Sequence, residues 1–261
     1  MNEKNKQSLV KSGKDDWLNS LREASSNFIN KSNNKFTGIM DIIFAFDTTG
    51  SMYFYLEQVQ TELTEIILEI NGTIPNSLLG IIAYGDYCDK DSTYITKVLN
   101  LSNDVNKIKS FVKQIEKTGG GDEPEALEVA LYNSATMMQW RTISKKAMVI
   151  VGDAPPHGVI DKLIQYNYQT ETQKLKNLGV KIYAVQCGKD KTTEQTFRWI
   201  AKITDGIYLN LNNIKDLKEA LIGSIMKEAG AEKLDNYITK VIQKKSLTAT
   251  KQEIFKQLKG N

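Results

Sequence analysis

The chain has 261 residues, of which 41% are hydrophobic and 25% charged, and its formal net charge is +3. That length allows one sizeable core with appendages, and the balance is ordinary for a globular protein. So weak a charge makes no case for nucleic-acid binding by the whole chain, and no apolar run is long enough to span a membrane. One histidine (His157) and two distant cysteines (Cys88 and Cys187) are too few for a zinc cage or a disulfide scaffold, so a bound metal is expected to be a hard, oxygen-liking cation.

Residues 1–37 are polar, rich in Lys, Asn and Ser, and have no signal-peptide core. They read as an arm with one amphipathic candidate helix, "DWLNSLREASSNFI", and the expected location is cytoplasmic. "IMDIIFAF" is a short apolar run, expected as a buried strand. After "DTTGSM" (47–52), Leu56, Val59, Leu63, Ile66, Ile67 and Ile70 fall three and four apart, the apolar face of a helix. "LLGIIAYG" predicts a second strand and "TYITKVLNL" a third, at an edge. "SNDVNKIKSFVKQIEK" predicts a capped helix. "TGGGDEPEALEVALYNSATMMQW" predicts a glycine loop and then a helix with Pro124 in its first turn. "AMVIVGD" is a further strand, followed by a helix over about 160–177 stopped by Gly179. "KIYAVQCG", "TTEQTFRWIAKIT", "GIYLNL" and "NIKDLKEALIGSIM" complete a strand–helix–strand–helix series. Residues 229–261 form a Lys-rich helical tail. Alternating strands and helices imply an α/β fold, a doubly wound, mostly parallel Rossmann-like sheet flanked by helices. Residues 38–228 form its domain.

Ligands of such sheets bind beyond the carboxyl ends of the strands. Three polar clusters fall there: "DTTGS" (47–51), "GGGDEPE" (119–125) and "GDAPPHG" (152–158). Alone, the first could be a turn and helix cap, the second a flexible loop and the third a turn. Together they place Asp47, Thr49, Ser51, Asp122, Glu123, Glu125, Asp153 and His157 at one edge, where carboxylates would repel each other without a cation. Alternate residues of an extended segment point the same way, so Asp47, Thr49 and Ser51 could face one ion. Mg²⁺ takes near-octahedral oxygen ligands and keeps several waters. Asp86 and Asp89, in "YGDYCD", are expected to order their own loop, and His157 to make hydrogen bonds.

"DTTGSM" resembles the DxSxS signature of the von Willebrand factor A domain, with Thr49 in the place of a serine. "YGDYCD", "GGGDEPEALEVAL", the Trp140–Arg141 pair, "VGDAPPHG" and "IAKITDGIYLNL" match that family in order and spacing. The set is similar to the branch found in alpha-type protein kinases, hemicentins and bacterial proteins. The resemblance implies a metal-ion-dependent adhesion site for Mg²⁺, with Mn²⁺ or Ca²⁺ as substitutes, held by Asp47, Thr49, Ser51 and Asp153. "DEPE" departs from the common second-loop threonine and is similar to the Asp-x-Pro-Glu of integrin beta subunits. That likeness makes Glu125 the primary second-loop ligand, Asp122 the alternative and Glu123 the third. It implies a non-enzymatic interaction module whose cation accepts an acidic side chain from a partner protein. Intracellular relatives commonly act as scaffolds for kinases, phosphatases or AAA-type ATPases.

The rival is an aspartyl phosphotransferase of the haloacid-dehalogenase type, since "DTTGS" also looks like the phosphorylated DKTGT of cation pumps, with Asp47 as nucleophile. Against it, Thr49 stands where most such hydrolases carry a general acid, His157 replaces the second acid expected after Asp153, and a helix begins immediately after Met52. No GxxxxGK[ST] phosphate loop and no nucleophile elbow occurs.

Overall fold

The computed structural model describes residues 38–121, 123–158, 165–211, 213–244 and 246–260. The arm with its candidate helix and Asp122 lie outside these residues.

Six strands form one sheet in the order β3-β2-β1-β4-β5-β6. β1 (Ile39–Asp47), β2 (Asn76–Tyr84), β4 (Lys145–Gly152), β5 (Val180–Cys187) and β6 (Tyr208–Leu211) run parallel. β3 (Thr96–Ser102) pairs antiparallel with β2 at the edge. The central strands are apolar on both faces because helices cover both sides of the sheet. Those helices are α1 (Tyr53–Thr73), α2 (Val105–Lys113), α3 (Leu127–Thr136), α4 (Tyr168–Asn177), α5 (Lys191–Ile203) and α6 (Leu217–Ala229). The α1 stripe is the expected one, with Leu56, Val59, Leu63, Ile66, Ile67 and Ile70 all buried. Among the described residues no helix is long and apolar enough to cross a membrane.

Two helix starts differ from expectation. Residues 159–164, where the first of these helices was expected to begin, lie outside the described residues; residues 165–167 are not helical, and α4 runs from Tyr168, with the Asn167 side chain accepting the Thr170 N–H as its cap. Gly179, at φ +76°, follows its end. α3 begins at Leu127, leaving Pro124 outside its first turn. The reason is Glu125: its N–H donates to Pro155 O (3.0 Å), and it forms a β-bridge with Pro156.

The Lys-rich segment folds as α7 (Ala231–Gln243) and α8 (Ala249–Lys259), both packed on α6. Leu234, Tyr237, Val241, Ile254, Phe255 and Leu258 are buried. Residues 38–261 form one compact unit.

At the opposite edge from the polar clusters, Asp41 is fully buried under Arg141. Arg141 Nε donates to Asp41 Oδ1 (2.6 Å) and its backbone N–H to Oδ2 (2.7 Å). Arg141 Nη2 reaches the Met40 and Asn76 carbonyls.

β1 sits between β2 and β4, and the chain crosses from one side of it to the other. The switch point of the sheet is therefore the crevice beyond the ends of β1 and β4, where Asp47 and Asp153 lie.

Candidate metal centre

Asp47 is the last residue of β1 and is 1% exposed. Thr49, equally buried, donates to Asp47 Oδ1 from its backbone N (2.9 Å) and its Oγ1 (2.7 Å). Asp47 Oδ2 is buried and has no hydrogen-bond partner. Burial pushes the Asp47 carboxyl up from its ordinary 3.8 to about 7, against the pull of the two Thr49 bonds and with added repulsion from Asp153 and Asp86. Ser51 departs from the extended arrangement expected of the loop. It lies in a 3-10 turn, Gly50–Met52, closed by Met52 N–H on Thr49 O (2.9 Å). The turn buries Met52 and leaves Ser51 exposed with its hydroxyl on Asp153.

The second loop comes down onto the first. A Cβ at Gly120 would lie 2.8 Å from Glu125 Oε1 and 3.3 Å from Thr49 Cβ, and the residue sits at φ +68°, so glycine alone fits without strain. Glu125 is 6% exposed, and its Oε2 is buried without a partner. Burial raises its carboxyl from 4.5 to about 9, with repulsion from Asp47 and Asp86 adding and a bond from Thr49 opposing. Glu123 is exposed. On the third loop Asp153 is half-buried, its Oδ1 has no partner, and burial raises its carboxyl despite the Ser51 bond. Thr193 Oγ1 holds the Asp153 carbonyl at 3.0 Å.

The loop after β2 ties the second and third loops together. Asp89 accepts Gly119 N (2.8 Å) and Gly120 N (3.1 Å) through its two carboxylate oxygens, and Asp86 N also donates to it (3.1 Å). Asp86 Oδ1 meets His157 Nε2 at 2.5 Å. Asp86 and Asp89 order their own loop through a capping box, as expected, and in addition hold the two neighbouring loops, which was not expected. Two contributors carried no sequence signal. Thr48 is fully buried and bonds to Tyr84 O (2.9 Å) and Thr118 Oγ1 (3.1 Å). Glu128, also fully buried, accepts His157 N (3.2 Å). Its position in the first turn of α3 reads as an ordinary helix-start acid.

Asp47, Glu125 and Asp153 thus each bring a buried, unpartnered carboxylate oxygen to the switch point, with the Thr49 and Ser51 hydroxyls beside them. Among the described residues no three His, Cys, Asp or Glu side chains form a ready metal cluster, so hydroxyls and water would complete any shell. The donor set is all oxygen. It fits Mg²⁺, Mn²⁺ or Ca²⁺ and does not suit zinc.

The family model for the von Willebrand factor type A domain matches residues 41–222. An ariadne-like RING finger protein, R811 of Acanthamoeba polyphaga mimivirus, is 32% identical over 121 residues, covering 46% of this chain and 11% of that protein. The alpha-protein kinase vwkA of Dictyostelium discoideum is 28% identical over 124 residues, covering 46% of this chain and 19% of the kinase. The chain therefore spans a small part of the length of these relatives. Two solved structures share the fold. BatB of Bacteroides thetaiotaomicron has a TM-score of 0.51 at 17% identity and covers 73% of this chain and 98% of its own. The pilus adhesin SpaC of Lactobacillus rhamnosus GG has a TM-score of 0.57 at 14% identity and covers 73% of this chain and 30% of its own. The family match covers most of the chain and agrees with the sheet order and helix layers: this chain belongs to the von Willebrand factor type A domain family, whose members are commonly protein-interaction modules.

Proposed function

We propose that this chain is a non-enzymatic, cytoplasmic interaction module that holds Mg²⁺ at Asp47, Thr49, Ser51, Glu125 and Asp153 and binds an acidic side chain of a partner protein through that ion. The observation that carries this reading is the set of three buried carboxylate oxygens without partners, one from each of three loops at the switch point. Left alone, they hold protons or repel; a divalent cation at this edge, its shell completed by the Thr49 and Ser51 hydroxyls and by water, offsets their charge. Asp122 stands as the alternative second-loop ligand. When bound, the ion supplies positive charge and an open coordination position. Thr49 orients the Asp47 carboxylate, Asp89 fixes the backbone of the glycine loop, and Ser51 links the first and third loops. A partner carboxylate then takes the place of a water. The Lys-rich ends add salt-sensitive steering toward that partner, with a scaffold for a kinase, phosphatase or AAA-type ATPase as the setting.

The test is calorimetric titration of Mg²⁺ and Mn²⁺ into the wild type and Asp47→Ala. Binding lost in the variant supports the site, and wild-type binding there removes it. Incubation with phosphoryl donors is expected to leave Asp47 unmodified; a captured aspartyl phosphate would favour the phosphotransferase instead.

A further inference from the structure

We propose that the cavity between α1, α6, α7 and α8 binds a small hydroxylated organic anion, an apolar chain with a hydroxyl at one end and a carboxylate at the other. The site is independent of the metal-dependent reading above, since none of its residues belongs to the three loops.

The cavity measures about 540 Å³, a size that suits a small molecule. Ile222, Tyr237 and Val241 are buried and form an apolar floor, and Leu68 stands exposed at the rim. Much of the wall comes from α7 and α8, which lie beyond residues 41–222, the part matched by the family model. The cavity is thus a feature of the helices this chain adds to the shared domain.

Two polar groups inside it lack partners. Glu219 of α6 is 4% exposed. Its Oε1 takes Lys251 Nζ at 2.7 Å, while its Oε2 is buried without a hydrogen bond. Tyr237 is 7% exposed, its ring edge-on to Phe255. Among the described residues its hydroxyl makes no hydrogen bond. Burial, and after it the charge of Glu219, pushes that hydroxyl above the ordinary tyrosine range, so it remains a donor. A buried acceptor beside an unused donor is costly until one group answers both. A ligand hydroxyl does this, donating to Glu219 Oε2 and accepting from Tyr237. An ammonium could only donate, and it would meet the charges of Lys251 and Lys218 near Glu219.

The anionic end follows from the lysines. Four of them line the cavity, against three glutamates. Lys218 pairs with Glu65 (2.8 Å), Lys240 with Glu69 (2.7 Å) and Lys251 with Glu219. Lys244, exposed just after α7, makes no ion pair among the described residues and acts on Glu65 only through space. One positive charge is therefore left uncompensated, and a carboxylate is its complement. The apolar floor takes the chain between the two ends.

The experiment titrates the full chain, in EDTA, with ω-hydroxy carboxylates graded in length from hydroxybutyrate to hydroxyoctanoate, by calorimetry and ligand-observed NMR. The parent alkanoates lack the hydroxyl and the matching diols lack the charge. Tyr237→Phe and Lys244→Gln each remove one group, with folding checked by melting temperature. Saturable binding of at least one chain length is expected, tighter than its alkanoate and its diol. Tyr237→Phe should weaken the hydroxy acid by roughly five- to ten-fold and leave the alkanoate unchanged. Lys244→Gln should weaken both acids and leave the diol unchanged. Absence of saturable binding at every length overturns the inference, the cavity then holding only water. Alkanoates or diols that bind the wild type as tightly as the hydroxy acids overturn it too, and that comparison stands even if a variant fails to fold. Binding that neither folded variant changes places the ligand elsewhere and also overturns it. Mg²⁺ binding, titrated separately, decides the metal-dependent function whichever result is obtained.

Discussion

Asp47→Asn separates a metal site from a structural cap. In the wild type Asp47 Oδ1 takes both Thr49 bonds, and an asparagine oxygen keeps them. What the substitution removes is the charge on a carboxyl that burial has raised from 3.8 to about 7. Because the folded value lies above the unfolded one, the folded protein keeps a proton that the unfolded chain has released. The stability this gives is fully present below pH 3.8 and is lost as the pH climbs through about 7. The displacement corresponds to roughly 4 kcal/mol in total, of which roughly 2–3 kcal/mol falls between about pH 5 and about pH 8. Asparagine does not titrate. In EDTA the melting temperature of Asp47→Asn, measured relative to wild type, should therefore rise by on the order of 5 °C from about pH 5 to about pH 8. Saturating Mg²⁺ should raise only the wild type and close the gap. Thermal unfolding followed by circular dichroism at both pH values checks this. A variant equally destabilised at both would refute the reasoning and make the Asp47 charge structural.

Mg²⁺ affinity should rise steeply from about pH 6 to about pH 9, because the cation must displace protons from Asp47 (about 7) and Glu125 (about 9); calorimetry across that range would show a flat profile if neither residue were a ligand. Asp153→Asn should keep its melting temperature within a few degrees in metal-free buffer, since it removes repulsion and no core contact, and a large loss of folded protein would reveal a structural role. Arg141→Ala should cost about 3 kcal/mol in urea denaturation, because it strands the fully buried Asp41. Metal affinity in that variant should be unchanged, as the ion pair lies at the far edge. Asp89→Ala should weaken Mg²⁺ binding about ten-fold or more by releasing the Gly119 and Gly120 amides.

The sequence alone determined the layer order of this protein. Period-two and continuous apolar runs separate from the α1 stripe of Leu56, Val59 and Leu63 because local geometry sets those periods. The same alternation placed Asp47 and Asp153 at one edge, since a βα unit turns at the carboxyl end of its strand; Glu125, on the connection between α2 and α3, is brought there by its pairing with Pro155 and Pro156. The boundaries that failed were decided over long distances. Pro124 left its helix because Glu125 pairs with Pro155 and Pro156 on another loop. Ser51 lies in a 3-10 turn that buries Met52 in the core. Only the tertiary structure could show that three carboxylate oxygens lie buried without partners and that Asp89 and the Asp86–His157 pair tie two loops together. Burial and hydrogen-bond satisfaction are properties of the packed chain. They depend on which distant segments arrive beside a residue, and no spacing along the sequence encodes that.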